Sequence, residues 1–569
     1  MNVTNNPSLS SATRQIAYFS MEFAFAQPLK TYSGGLGFLA GSHMRSAHTL
    51  QQPMVAIGIL WKYGYYDQVR KADQTMDVLF MEKQYSFLQP TNLKFQITVN
   101  HAPVWVTAYY LPPTVFGTVP TYFLSTDLPE NDYLAQTICH KLYDANPETR
   151  IASSILLGIG GAKLLEQLKL TPDVYHMNES HPLPLGFYLY SQLGNMEAVR
   201  ERLVFTTHTP EEAGNPRTHI RLLDRMGFFN YLSLDEVRQI TGISDDQFNW
   251  ALGAFRLAGR ANAVSKRHQQ VSLDMWAGYA NLCPILSITN AQNQAFWGDP
   301  ILQMATENND DVRLTARKKT HKQSLFDAVA DQTGDMYDPD VFTMVWARRF
   351  AGYKRADLLL SDPDRFQRLM TNKLYPVQLI WAGKPYPFDY ASIGTFDRLA
   401  HVSKQFINCS VLVGYEIHLS KLLKQGADLW LNTPRLTREA SGTSGMTAAM
   451  NGALNCSTND GWIPEFARNG VNSFVLPEAD LTWPAHEQDA FDADNLFTLL
   501  ETVILPMYYE QPAQWLRMIK ASMEDVVPYF DADRMATEYY EQLYSLPQPT
   551  RQFTESLNSE AVLLTDSVG

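Results

Sequence analysis

Along this chain, short apolar runs alternate with longer stretches in which apolar residues recur every three or four positions. The runs at 15–20, 54–57, 204–207, 342–346, 378–381 and 411–413 read as buried strands. The stretches between them read as helices, so the pattern predicts an α/β protein with mainly parallel sheets. Several runs end where a loop bearing Gly, His or Arg begins. In open α/β sheets ligands bind beyond the carboxyl ends of the strands, so those loops are the first place to look for chemistry.

The alternation is interrupted once by a polar stretch. Thr306-Glu307-Asn308-Asn309-Asp310-Asp311 leads into a charged helical pattern through Arg317-Lys318-Lys319, and Asp338-Pro339-Asp340 then opens a new strand. A chain of 569 residues is too long for one core. The expected division is a first domain over 1–295, a second over 296–529 and a polar tail over 549–569. A last helical pattern near 531–546 could pack on either domain.

Charge narrows the partners. The net charge is −13 and the pI about 5.5, which disfavours nucleic acid or an anionic membrane. Any phosphate site must then be a local basic cluster on an acidic background. No apolar run reaches membrane-spanning length, and residues 1–11 lack the pattern of a signal peptide. Cys139, Cys283, Cys409 and Cys456 lie far apart without a C-x-x-C pattern, which points to reduced thiols in a cytoplasmic protein. The 28 Tyr and 11 Trp can stack on sugar rings, although such residues also fill cores.

Three segments carry candidate chemistry. Ser33-Gly34-Gly35-Leu36-Gly37 precedes a helical pattern over 39–47, so its backbone can approach an anion at a helix start. A purely structural glycine turn is the plain alternative. Arg348-Arg349-Phe350-Ala351-Gly352-Tyr353-Lys354-Arg355 ends the strand at 342–346. The Arg349 fork with the Lys354 point charge suits a phosphate or diphosphate, against a merely solvated basic face. Glu439 precedes the small-residue run Ala440-Ser441-Gly442-Thr443-Ser444-Gly445, a backbone cradle beside a carboxylate able to accept sugar hydroxyls. Two further loops carry histidine, Asn178-Glu179-Ser180-His181 and Thr206-Thr207-His208-Thr209-Pro210. Neither has metal-ligand spacing, so no metal is expected. Nucleophile-elbow and Walker-type lysine motifs are absent too.

In order along the chain, the words Ile16-Ala17-Tyr18-Phe19-Ser20-Met21-Glu22, Tyr32 to Gly37, Tyr175-His176-Met177-Asn178-Glu179, Thr206 to Pro210, Ala347-Arg348-Arg349, Tyr353 to Asp357, and Glu439 to Gly452 resemble the α-glucan (glycogen/starch) phosphorylases, in their short bacterial and archaeal form. The resemblance implies a GT-B fold: two Rossmann-like domains facing a cleft, with final helices at 530–548 returning to the first domain. It implies that Gly34, Gly35, Arg349, Lys354 and Tyr353 meet donor phosphate. His208, Asn290, Glu439, Ala440, Ser441 and Gly442 would hold the sugar, and Glu179 and His181 would border the acceptor. His208, Arg349, Lys354 and Glu439 are the implied catalytic residues. A homodimer is compatible with it.

The chain departs from the family at three places. Thr447 stands where the family has the lysine that binds pyridoxal phosphate (PLP), and a hydroxyl forms no imine. Thr289-Asn290-Ala291-Gln292-Asn293 replaces the usual Thr-Asn-Gly-Val-His, and Ser180 replaces glycine. A PLP-free retaining transferase using a nucleotide sugar fits this pattern, because a nucleoside diphosphate brings both phosphates that the cleft needs. On that reading no cofactor is expected, and Thr447 becomes a candidate ribose contact. Two alternatives stay open. One is a phosphorylase holding PLP non-covalently or through another lysine such as Lys384. The other is a non-catalytic glucan-binding protein.

Overall fold

The computed structural model describes residues 14–211 and 214–545. The readings for residues 1–11 and for the tail at 549–569 lie outside the described residues.

The chain forms two large sheets. The first has nine strands in the order Ile285–Ser287, Arg260–Ala263, Leu203–Thr206, Val174–Asn178, Ile16–Phe19, Met54–Ile59, Thr121–Ser125, Ala102–Leu111, Gln89–Val99. The first seven run parallel. The last two form an antiparallel hairpin at one edge. Its turn uses Asn100 and His101, both at positive φ, the backbone that matches a two-residue hairpin turn to strand twist. The alternating burial along Gln89–Val99 belongs to an edge strand with one solvated face.

The second sheet has six strands, all parallel, in the order Cys409–Leu412, Val377–Ala382, Phe342–Ala347, Leu429–Asn432, Leu454–Ser457, Ser473–Val475. Phe342–Ala347 and Val377–Ala382 are buried at every position, as expected of strands with helices on both faces. The six apolar runs singled out in the sequence all fall on strands of these two sheets.

The polar stretch between the series ends the helix Pro300–Glu307 and turns into the helix Asp311–Thr333, which is capped by Asp310 and closed by Gly334 in the left-handed conformation. Helix Pro512–Phe530 packs on the second sheet, with Trp515 against Phe342 and Phe474. The chain then crosses at Asp531. Gln292 N–H donates to the Phe530 carbonyl, and Ala532 N–H donates to Gln292. The helix Ala532–Glu538 and the π-turn Tyr539–Leu543 lie against the first sheet. There His176 is held between the Tyr544 hydroxyl and Thr206 Oγ1, each at 2.7 Å, in a buried polar knot that includes Asn262 and Tyr539. Among the described residues no helix is long and apolar enough to cross a membrane.

Candidate functional site

Loops at the carboxyl ends of strands from both sheets line one cavity of about 920 Å3. From the first sheet come Met21 and Glu22 after Phe19, Glu179 and His181 after Asn178, His208 after Thr206, Val264 after Ala263 and Asn290 after Ser287. From the second come Arg348, Arg349, Tyr353 and Lys354 after Ala347, Lys384 after Ala382, Tyr415 after Leu412, and Arg438 to Ser444 after Asn432. The cavity thus collects Gly34, Gly35, Glu179, His181, His208, Asn290, Arg349, Tyr353, Lys354, Glu439, Ala440, Ser441 and Gly442. Of the residues given a site role from the sequence, Thr447 is the one absent from this lining.

The glycine turn is shaped by Glu22, a buried carboxylate that the sequence reading quoted but gave no role. It accepts from the Ser33 amide (2.7 Å), the Ser33 hydroxyl (2.8 Å), the Gly34 amide (3.2 Å) and the Tyr143 hydroxyl (2.7 Å). The Gly34 N–H is therefore engaged by Glu22. The Gly35 N–H, at the start of helix Gly35–Thr49, is left to face an anion. A Cβ on Gly34 or Gly35 would meet nothing within 4 Å, whereas one on Gly37 would lie 2.5 Å from Tyr32 Cβ. Gly37 is thus required by packing, and Gly34 and Gly35 leave open space in the cavity.

The cations differ in their commitments. Arg348 bonds to Asn432 Oδ1 and to the Leu431 carbonyl, and Lys354 Nζ lies 2.6 Å from Glu439 Oε2. Lys384 donates to Glu416 (2.8 Å) and to the Tyr66 carbonyl (2.9 Å), and Arg438 pairs with Glu211. The Arg349 guanidinium has no ion pair or hydrogen bond among the described residues and stands near Tyr353, Tyr65, Tyr143 and Glu22.

In the 439–442 loop, the Glu439 amide donates to Asp460 Oδ2, and the Ala440 carbonyl accepts from the Ser265 hydroxyl at 2.7 Å. Gly442 turns the loop at φ +89°, a conformation that needs no Cβ. Asn290 Oδ1, Ser441 Oγ and Arg348 Nε are buried without partners within the protein, so a polyhydroxylated ligand can satisfy them.

His208 is held twice. Its amide donates to Glu179 Oε2 at 2.8 Å, and its Nε2 lies 2.7 Å from Asn178 Oδ1. Asn178 Nδ2 already donates to Ser20, so its oxygen accepts and His208 carries its proton on Nε2. Burial first, then the charges of His268 and His181, drive the His208 imidazole down to about 3, so it is neutral. Burial pushes the Glu179 carboxyl up to about 7, against bonds from the His208 and Ser180 amides and the Thr209 hydroxyl. Glu179 also sits at φ +67°, a strained backbone for a non-glycine residue in a cavity wall.

Helix Thr443–Ala449 carries Thr447. Thr447 is 1% exposed, and its hydroxyl donates to the Ser444 carbonyl at 3.0 Å within its own helix. Thr447, named from the sequence as a candidate ribose contact, is not in the cavity lining; Thr443 and Ser444 present that helix to the cavity. The lysines of the lining, Lys354 and Lys384, each pair with a carboxylate, Lys354 with Glu439 at 2.6 Å and Lys384 with Glu416 at 2.8 Å. Thr447 offers no amine, and neither lysine of the lining is without a carboxylate partner. Among the described residues no group of three His, Cys, Asp or Glu clusters as a metal site.

A family model described as carbohydrate phosphorylase matches residues 299–471. An uncharacterized protein of Methanocaldococcus jannaschii is 47% identical over 93% of this chain and 99% of its own. The maltodextrin phosphorylase of Thermococcus litoralis is 33% identical over 93% of this chain and 70% of its own. A Mycobacterium tuberculosis glycogen phosphorylase has the same identity and the same coverage of both chains. Similarity of this extent, with the family's words gathered around one cavity, establishes that the chain belongs to the α-glucan phosphorylase family.

Proposed function

We propose that this chain is a PLP-independent retaining glycosyltransferase that moves an α-glucosyl unit from a nucleotide sugar to a hydroxyl acceptor. In this reading it has the GT-B organisation. Residues 1–295 with the helices at 530–548 form the acceptor side, and 296–529 form the donor side. One observation carries the proposal: the phosphate and sugar groups remain in one cavity, while Thr447 is folded into its own helix and no lining lysine offers a free amine.

In the proposed reaction Arg349 forks onto the donor diphosphate, with Lys354 adding charge beside it. The Gly35 amide opposes the negative charge that grows as the bond from the anomeric carbon to phosphate breaks. Glu439 and the 440–442 backbone grip the sugar hydroxyls. The acceptor oxygen bonds to the anomeric carbon on the face that phosphate leaves, and its proton passes to the departing phosphate oxygen. The nucleoside would extend past Thr443 and Ser444. No covalent glycosyl-enzyme is invoked in this reading.

A thermal-shift panel of uridine, adenosine and guanosine diphosphate sugars tests the proposal, since a ligand that binds only the native state raises Tm. One nucleotide sugar is expected to raise Tm and to release its nucleoside diphosphate when an acceptor is added. Stoichiometric PLP trapped on a lysine by borohydride, with phosphate-dependent release of glucose 1-phosphate, would sink it.

A further inference from the structure

The acceptor side of the cavity contains a second uncommitted cation. Arg150, on helix Pro147–Ile155, lines the cavity together with Tyr143, His181 and Tyr386. Its guanidinium makes no ion pair or hydrogen bond among the described residues. Nearby acids are engaged elsewhere. Glu148 pairs with Arg225, Asp144 caps the Asn146 amide, and Glu22 serves the glycine turn and Tyr143. Arg348, Arg438, Lys354 and Lys384 all have partners, so Arg150 stands out beside Arg349.

The two guanidiniums serve different parts of the wall. Arg349 faces the glycine turn and Tyr65. Arg150 acts electrostatically on His181 and Tyr386. The Tyr143 ring packs 5.6 Å from His181, and its carbonyl accepts the Tyr386 hydroxyl. His181 Nδ1 is buried without a partner. The imidazole is held neutral, down to about 4, by burial and by the Arg150 charge. This region therefore offers an unpaired positive fork, an orphaned imidazole nitrogen and two aromatic rings. Arg150 is exposed and its guanidinium is solvated; a carboxylate or phosphate can pair with it bidentately, which a neutral glucan hydroxyl cannot do.

We propose that Arg150 selects an anionic acceptor, a sugar carrying a phosphate or a carboxylate, with His181 and Tyr386 beside it. This rests on the transferase reading above and names the substrate class of its acceptor side. It departs from the neutral glucans in the names of the relatives.

Calorimetric titration of glucose 6-phosphate, glucuronate and glucose into the parent, Arg150→Gln and Arg349→Ala tests it, with the donor found in the nucleotide-sugar panel titrated in parallel. In the parent at least one anionic sugar is expected to bind about tenfold or more tighter than glucose, the scale of one charge-assisted contact. Glucose 6-phosphate and glucuronate separate the phosphate from the carboxylate source. Arg150→Gln is expected to erase the preference and leave nucleotide-sugar affinity unchanged, and Arg349→Ala to keep the preference and lose the nucleotide sugar. No preference in the parent overturns the inference. So does a preference that survives Arg150→Gln, or one lost only in Arg349→Ala. If no nucleotide sugar binds while the Arg150-dependent preference stands, the donor assignment fails and the anion site does not.

Discussion

Two neighbouring regions of the cavity have been treated differently. The wall formed by Arg349, Lys354, Glu439 and 440–442 faces the open space, with an unpaired guanidinium and orphaned polar atoms. Helix Thr443–Ala449, which follows it directly, is closed: Met446, Ala448 and Ala449 are fully buried and the Thr447 hydroxyl bonds to its own backbone. The first region holds the groups that the proposed reading gives to phosphate and sugar, and the second offers no amine at position 447. Simple decay would be expected to blunt both. Retention of one beside loss of the other is what a changed donor chemistry predicts.

The comparison is broken most directly at Arg349. Arg349→Ala removes a cation with no protein partner, so Tm should stay close to the parent. Donor binding should weaken about 10- to 100-fold, from ~1.5–3 kcal/mol for a charge-assisted contact. Titration with the donor found in the nucleotide-sugar panel checks this. Unchanged affinity would move the phosphate site elsewhere.

Thr447→Lys probes the closed side. The position is buried, so the longer side chain overpacks the helix and should cost ~1–3 kcal/mol of stability. A lysine that reaches the cavity would intrude beside Thr443 and Ser444 and lower nucleotide-sugar affinity. The variant is expected to lose binding and to gain no imine absorbance with added PLP. Robust phosphorolysis by this variant would mean that the cofactor cavity is intact and merely unanchored.

Gly35→Ala and Gly37→Ala sharpen the contrast between space kept for a ligand and space filled by packing. The Gly37 change drives Cβ into Tyr32 and should cost ~1–3 kcal/mol in denaturant unfolding. The Gly35 change meets no protein atom, so stability should hold while donor affinity falls several-fold. Equal destabilisation by both would make the turn purely structural.

Glu179→Gln should leave donor affinity nearest to the parent and shows itself through pH. The fold keeps the Glu179 proton up to about 7, against an ordinary 4.5, so unfolding between those values releases a proton. The stability this group contributes is full below pH 4.5 and is lost as pH rises through about 7. The parent should therefore lose stability across that window more steeply than Glu179→Gln. Parallel pH profiles for the two proteins would show that Glu179 ionises normally in the fold.

The sequence by itself determined the α/β class, six strands of the two large sheets and the family, because buried strands are continuous apolar runs and the loop words are local. It also determined that position 447 lacks an amine, a fact of composition. Tertiary structure decided the commitments. Glu22 captures the Gly34 amide from 12 positions away, Glu416 captures Lys384 from 32, and Glu439 meets Lys354 across 85. The edge hairpin at 89–111 and the crossing at Asp531 depend likewise on which surfaces meet. A residue's type states which bonds it can make, and only the fold states which are already made. For that reason Arg349 and Arg150 could be recognised as uncommitted, and Thr447 as turned away from the cavity, only once their neighbours were in place.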